Sequence, residues 1–256
     1  MFVYGAICER KNLQVRHFQL PLPGWPSTRA GYRIALLADF HVQNLDTAEL
    51  ASQAIHLAIA EQPDMIVLAG DFVDDWFPSL PPLLGDVLAP LHQMKGRVVA
   101  IPGNHDYFSA PPDALATICD ELGILLLRNS CQVLDGICWV GVDSYQARAS
   151  KPDEAMNAAQ AIGADLPKVV LWHEPDAVDF LPTGANLMLS GHSHGGQFVL
   201  PGGWAPKHST MGRKYVRGFY PHAKTPIFVT SGVGTTFLPS RFNCPPEVAI
   251  LTLNPA

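Results

Sequence analysis

Apolar residues come in short, dense runs, each ending in polar ones. YRIALLADFH (32–41), DMIVLAGD (64–71) and RVVAIPGNHD (97–106) all read this way, as buried strands that run into polar loops. Residues 13–20 alternate enough for a further strand, which PLPGWP then breaks. Between the runs the period changes to that of a helix. Asp46 with Glu49 makes a capping-box-like start, followed by Leu50, Ala54, Ile55, Leu57 and Ala58 at helical spacing. Leu80–Lys95 forms a second helical stretch, with Leu83, Val87 and Leu91, beside Leu84 and Leu88, as its buried face; a third lies near 112–122. Strands alternating with helices predict βαβ units and a largely parallel sheet.

The second half changes character. CQVLDGICWVGVDS (131–144) reads as a hairpin turning at Asp135-Gly136. KVVLWHEP (168–175), ANLMLSGH (185–192), PIFVTSGVG (226–234) and EVAILTL (247–253) are further strands with fewer helices between them, which predicts a second sheet. The economical architecture is α/β: two sheets packed face to face with helices outside. No repeat, low-complexity linker or composition shift divides 1–256, so a single domain is expected.

The 256 residues are enough for a substantial core, and 48% hydrophobic against 16% charged excludes a disordered chain. A formal charge of −6 disfavours general binding to nucleic acid. Five cysteines (Cys8, Cys119, Cys131, Cys138, Cys244) without CxxC spacing predict free thiols in a reducing compartment, with Cys138 and Cys244 as buried fillers. No apolar run is long enough to span a bilayer and the N-terminus does not resemble a signal peptide, so a cytoplasmic location is expected.

The candidate chemistry lies just past the strand ends, where ligands bind in open α/β sheets. Asp39 and His41 follow the first buried strand, Asp71 the second, Asn104, His105 and Asp106 the third; His173 follows KVVLW, and His192 and His194 follow NLMLS. The SGHSHGGQ pair alone fits a polar turn as well as a metal site. Five polar strand ends, in a chain with ten histidines, are harder to assign to turn chemistry. Carboxylate, carboxamide and imidazole together suit Mn, Fe or Zn. Seven such candidates exceed what one ion would take, and two divalent ions sharing a carboxylate would use them.

In order, Asp39-Phe40-His41, Gly70-Asp71-Phe72-Val73-Asp74, Gly103-Asn104-His105-Asp106, His173 and Gly191-His192-Ser193-His194 resemble the calcineurin-like metallophosphoesterase family. The resemblance spans 33–194 and implies an αββα sandwich with its metal site at the C-terminal ends of the strands. It implies that Asp39, His41 and His194 hold one ion, that Asn104, His173 and His192 hold the second, and that Asp71 bridges them. His105 would protonate the leaving oxygen or stabilise the transition state, and Asp74 would orient its imidazole. On this reading His192 and His194 are ligands. Asp106 is assigned to fixing its loop, and His17, His56, His92, His208 and His222 match no motif position.

The expected activity is dinuclear hydrolysis of a phosphodiester or pyrophosphate by metal-activated hydroxide. The alternatives are a phosphomonoesterase acting on metabolites or phosphoproteins, and a non-catalytic scaffold. GHSHGGQ before a Pro/Gly-rich segment, HEPD (173–176) and CPPEVAILTL resemble the bacterial membrane-associated branch that includes UDP-diacylglucosamine hydrolases. That points to a small-molecule phosphoester, extending to a lipid-like one, and to peripheral contact with the inner face of a membrane. Trp76 and Phe77, next to the Asp71–Asp74 motif, are the candidate apolar rim, against loop packing. Lys207, Arg213, Lys214, Arg217 and Lys224 form a basic run after GHSH, of which Arg213 and Arg217 are the candidate substrate contacts, against a solvated loop. Arg241 would approach the site or form a structural salt bridge. The pattern does not give the oligomeric state.

Overall fold

The computed structural model describes residues 2–109, 112–206 and 208–256. Twelve strands follow one another along the chain. The first six are β1 (Gln14–Leu22), β2 (Tyr32–Leu37), β3 (Met65–Ala69), β4 (Val98–Ile101), β5 (Leu125–Leu126) and β6 (Ser130–Leu134). The rest are β7 (Ile137–Gly141), β8 (Lys168–Leu171), β9 (Leu187–Ser190), β10 (Gly218–Tyr220), β11 (Ile227–Val229) and β12 (Glu247–Pro255). The helices are α1 (Phe2–Ile7), α2 (Leu45–Ala60), α3 (Leu80–Leu88), α4 (Asp113–Leu122) and α5 (Pro152–Ile162).

The strands form two six-stranded sheets, ordered β1-β12-β2-β3-β4-β5 and β10-β11-β9-β8-β7-β6. Period-two alternation divides the core among three apolar layers. Ile34 and Leu36 of β2 face the second sheet, meeting the layer of Val169, Leu171, Leu187, Leu189 and Trp139. Ala35 and Leu37 point the other way, into a layer shared with Ala51, Ile55, Leu84, Leu88 and Leu115 of α2, α3 and α4. Val140, Val170 and Met188 pack on Ala155 and Ala159 of α5. The result is the expected helix–sheet–sheet–helix sandwich.

Four local features differ from the sequence expectation. The cap of α2 is Asn44, not Asp46: its side chain accepts from Thr47 N at 3.1 Å, and Thr47 Oγ1 accepts from Asn44 N at 3.1 Å. The α3 stretch ends at Leu88 and tightens into a 3-10 segment, Ala89–Met94, because Pro90 supplies no amide to continue the α ladder. The second helical layer, α5, has no strong apolar stripe, since its buried face is Ala155, Met156 and Ala159. Strand β12 returns to the first sheet, parallel to β1 and antiparallel to β2.

Lys168 opens β8 with its side chain buried, and its ammonium donates to Gly163, Ala164 and Leu166 carbonyls at 3.0, 2.9 and 3.0 Å. It satisfies the turn that follows α5. Lys168→Met is expected to lower stability by about 1–3 kcal/mol, because three part-buried carbonyls lose a charged donor. Urea unfolding should show this as a lower midpoint at unchanged slope. A midpoint within error of the wild type would overturn the assignment.

The topology sets the place of the site. β2, β3 and β4 run parallel in one sheet, and β7, β8, β9 and β11 in the other. Their C-terminal loops therefore leave from one edge of the sandwich. The two sets of loops are joined there, with Asp39 N donating to Gly70 O at 2.9 Å and His192 N to Asp39 Oδ1 at 2.9 Å.

Candidate metal centre

Two triads of potential ligand atoms form where these loops meet. Asp39, His41 and His194 converge within 4.8 Å of one another, and so do Asp71, His173 and His192. All six are buried. His41 Nε2 stands 3.0 Å from His194 Nε2, and His194 Nε2 stands 3.7 Å from Asp39 Oδ1. Asp71 lies between the triads, its Oδ2 3.5 Å from His41 Nε2 and 3.0 Å from His173 Nε2. A third combination, His41, Asp71 and His105, overlaps the first two. In it His105 Nδ1 is already within 2.8 Å of the Asp74 carbonyl.

The backbone is bent to bring these groups together. Asp39, His41, Asp71, His192 and His194 all have left-handed φ, between 46° and 70°. Non-glycine residues there cost roughly 1–2 kcal/mol each, and such strain persists where the surroundings over-determine it. Gly103 is needed for approach, since a Cβ there would run into the Asp71 amide and carboxylate. Asp106 supplies much of the over-determination. Its buried carboxylate accepts from Asp71, Phe72, Val73 and Gly103 amides at 3.0, 2.9, 3.3 and 2.7 Å, tying the second strand's loop to the third's.

Hydrogen bonds also choose which imidazole nitrogen faces the centre. His173 Nδ1 donates to Ala69 O at 2.6 Å, and His192 Nε2 to Thr210 O at 2.6 Å. This turns His173 Nε2 and His192 Nδ1 toward Asp71. The Gln146 amide packs on the Thr210–His192 pair, donating to Thr210 O at 2.5 Å and standing 2.8 Å from His192 Nε2. Gln146 is placed in turn by Glu174, a buried carboxylate that accepts from the Gln146 backbone N–H at 3.0 Å, the Ser144 hydroxyl at 2.5 Å and the Tyr145 backbone N–H at 3.1 Å. His41 Nδ1 lies 3.2 Å from Asp74 Oδ1.

The donor set fits divalent cations. Asn104 Oδ1 and His173 Nε2 are buried without a hydrogen-bond partner, and the Asn104 oxygen has a lone pair available; His173 Nε2 is close to Asp71 without bonding geometry. An orphaned acceptor costs about 1–3 kcal/mol, which an ion would recover. The field is also that of a cation site. Burial works against a charged His173, yet Asp71 and Asp39 push its pKa up to about 10. Burial alone would raise Asp71, but His173, His41 and His105 hold it well below the usual carboxylate range. Burial, with His41 and Arg241 nearby, pushes His194 well below its usual range, the neutral state a ligand requires.

The remaining predicted residues divide. His105 lies beside the triads, its amide donating to Asp71 Oδ1 at 2.8 Å. Asp74 reaches His105 mainly through its backbone carbonyl, with its carboxylate 3.6 Å from Nδ1 and nearer to His41. Trp76 is half-buried: its indole N–H donates to Asp106 O at 2.8 Å and its ring packs against the α3 layer. Phe77 is 38% exposed. The basic run is split, with Lys214 paired to Asp179 at 2.8 Å and Lys224 bonded to the Asp179 carbonyl at 3.4 Å. Arg213 and Arg217 are exposed, and among the described residues neither guanidinium has a hydrogen-bond or ion-pair partner. Lys207 lies outside the described residues.

Of the two roles expected for Arg241, it takes the first: it comes up behind the site, with Nη1 3.5 Å from His194 O, and forms no salt bridge among the described residues. It is fully buried and donates to the carbonyls of Ser231, Gly234 and Cys244 at 2.9, 2.6 and 3.2 Å, bracing the turn behind His194. Sequence reasoning missed Gln146, Thr210 and Phe108. Phe108 follows GNHD by two residues, a proximity that could have flagged it.

The profile of the calcineurin-like phosphoesterase family matches residues 32–196. The chain belongs to that family. An uncharacterized metallophosphoesterase of Helicobacter pylori is 32% identical over 231 residues, covering 87% of this chain and 60% of its own. The chain thus spans about three fifths of that relative's length. Phosphodiesterase YaeI of Escherichia coli is 32% identical over 259 residues, covering 98% and 92%. A zebrafish (Danio rerio) transmembrane protein with a metallophosphoesterase domain is 27% identical over 271 residues, covering 99% and 60%. Among the described residues of this family member, no helix is long and apolar enough to cross a membrane. The solved NAD nucleotidase of Haemophilus influenzae has a TM-score of 0.47 and 14% identity over 78% of this chain and 44% of its own, a likeness too low to bear on chemistry.

Proposed function

We propose that the chain, acting as one domain, is a metal-dependent phosphoester hydrolase that cleaves a phosphodiester or pyrophosphate at a two-ion centre. The observation that carries this reading is the pair of buried triads with Asp71 between them. Asp39, His41 and His194 would hold one divalent ion; Asn104, His173 and His192 the other; Asp71 both. Mn, Fe or Zn suits the donors. When bound, such ions neutralise phosphoryl oxygens and lower the pKa of water from ~15.7 toward ~7.

The protein's own groups supply the rest. His105 Nδ1 is committed to the Asp74 carbonyl at 2.8 Å, which leaves Nε2 to carry a proton and deliver it to the leaving oxygen. Asp106 and Gln146 keep the loops and the His192 tautomer in place. The name of the Escherichia coli relative supports a diester over a monoester. After chelation and resupply of Mn, Fe or Zn, bis-p-nitrophenyl phosphate should be cleaved faster than p-nitrophenyl phosphate. The opposite order would favour a monoesterase, and inactivity with ions bound would favour a scaffold.

The substrate reading extends to an amphiphilic diester, with peripheral contact at a membrane face. Phe77 offers an exposed apolar surface beside the Asp71 loop, and Arg213 and Arg217 offer unpaired cations in a chain of net charge −6. Phe77→Ala is expected to lower kcat/KM for a phospholipid-like diester by about three- to tenfold, with a water-soluble diester unaffected. An unchanged preference in that kinetic comparison would make the substrate a water-soluble ester.

A further inference from the structure

We propose that Phe108 forms the wall of the leaving-group subsite and selects for a leaving alcohol with an apolar carbon body. The inference rests on the proposed hydrolase reading and on His105 as the proton donor. The Phe108 ring lies 4.4 Å from the His105 imidazole, centroid to centroid, at 45°. The same imidazole meets the His41 ring edge-on, at 4.6 Å and 84°. His105 thus touches both a member of the triads and an aromatic ring.

The ring is fixed. Phe108 N donates to His105 O at 3.0 Å, and Tyr107 N to Asn104 O at 3.3 Å, closing a tight 3-10 turn over His105–Tyr107. Tyr107 anchors that turn, its hydroxyl donating to Asp143 Oδ1 at 2.5 Å and accepting from Arg128 Nη2 at 2.9 Å. A rigid turn nevertheless leaves Phe108 45% exposed. Pure packing would have buried the ring, as it does Phe40 and Phe72 on the two preceding loops, at 2% and 0%.

The chemistry places the subsite. As an oxygen derived from water bonds to phosphorus, the bond from phosphorus to the leaving oxygen breaks. The proton from His105 Nε2 goes to that oxygen. The carbon attached to it must therefore lie within reach of whatever flanks His105, and the exposed flank is Phe108. A solvated polyol would gain nothing there. An apolar body would cover the ring and gain its burial.

Benzyl methyl phosphate tests this through internal competition, because either alcohol can leave and the two have nearly equal acidity. Metal-loaded wild type should release benzyl alcohol in excess over methanol, read by chromatography. Phe108→Ala should bring the ratio down by about three- to tenfold, toward one, with bound metal unchanged. Phe108→Tyr, which keeps the ring, should keep the ratio; a residue that only packed on His105 would alter rate and leave the ratio alone. A wild-type ratio at or below one, or a ratio unmoved in Phe108→Ala, overturns the proposal while leaving the hydrolase reading intact. Release of neither alcohol by the loaded protein overturns the diesterase reading and this subsite with it.

Discussion

Asp71→Asn is expected to abolish tight binding of both ions and to cut kcat/KM by roughly 10³-fold or more, since a Lewis-acid contribution of several kcal/mol is lost at tenfold per 1.36 kcal/mol. The substitution is close to isosteric, so the backbone ties of this loop to Asp106 remain and the side chain can still accept from His105 N. What disappears is the one carboxylate oxygen near both His41 Nε2 and His173 Nε2, at 3.5 and 3.0 Å. Ion-free stability should stay near that of the wild type. Asp71 raises the pKa of its buried neighbours Asp39 and Asp106, which also stand raised by burial, Asp106 to about 7; removing its charge eases both while His173 loses a partner. The readout that separates folding from ion binding is thermal. Saturating Mn at about 100 times its Kd should stabilise wild type by about 2.7 kcal/mol for each ion bound and the variant hardly at all. A variant that still binds one ion at full affinity would overturn the bridging role.

The strand-end chemistry was legible because it coincides with the strongest periodic signal in the chain. Wherever an apolar run such as IALLADFH or MIVLAGD stops, the next polar residues sit at the ligand-binding edge, and the sequence writes them out. The supporting layer left less trace. Thr210 acts through a carbonyl, which every residue has, and Gln146 reaches His192 from the loop after β7, across 46 residues of chain. Adjacency to a motif says nothing about which way a ring turns: the Trp76 indole N–H reaches the Asp106 carbonyl, while Phe77 beside it is exposed. Arg241 left two roles open, approach to the site or an ion pair; it stands behind His194, and three loop carbonyls serve its buried guanidinium's fork of donors in place of a carboxylate. α5 escaped because alanines carry its buried face.

His105→Ala should separate the proton donor from the ligands. The imidazole lies beside both triads but its Nδ1 is within 2.8 Å of Asp74 O, and the loss of its side chain removes no atom from Asp39, His41, His194, Asp71, His173 or His192. Metal content should therefore stay at the wild-type level. Turnover should fall by about 10²–10⁴-fold on diesters of ordinary alcohols, the usual worth of general acid catalysis. On bis-p-nitrophenyl phosphate the loss should be far smaller, because p-nitrophenolate departs without protonation. A second variant supplies another check: His105→Gln should behave like Ala, since it can hydrogen-bond but not deliver a proton. Equal losses on good and poor leaving groups would overturn the proton-donor role in favour of electrostatic stabilisation by the imidazolium. Loss of an ion would make His105 a ligand, and the third combination of His41, Asp71 and His105 the relevant one.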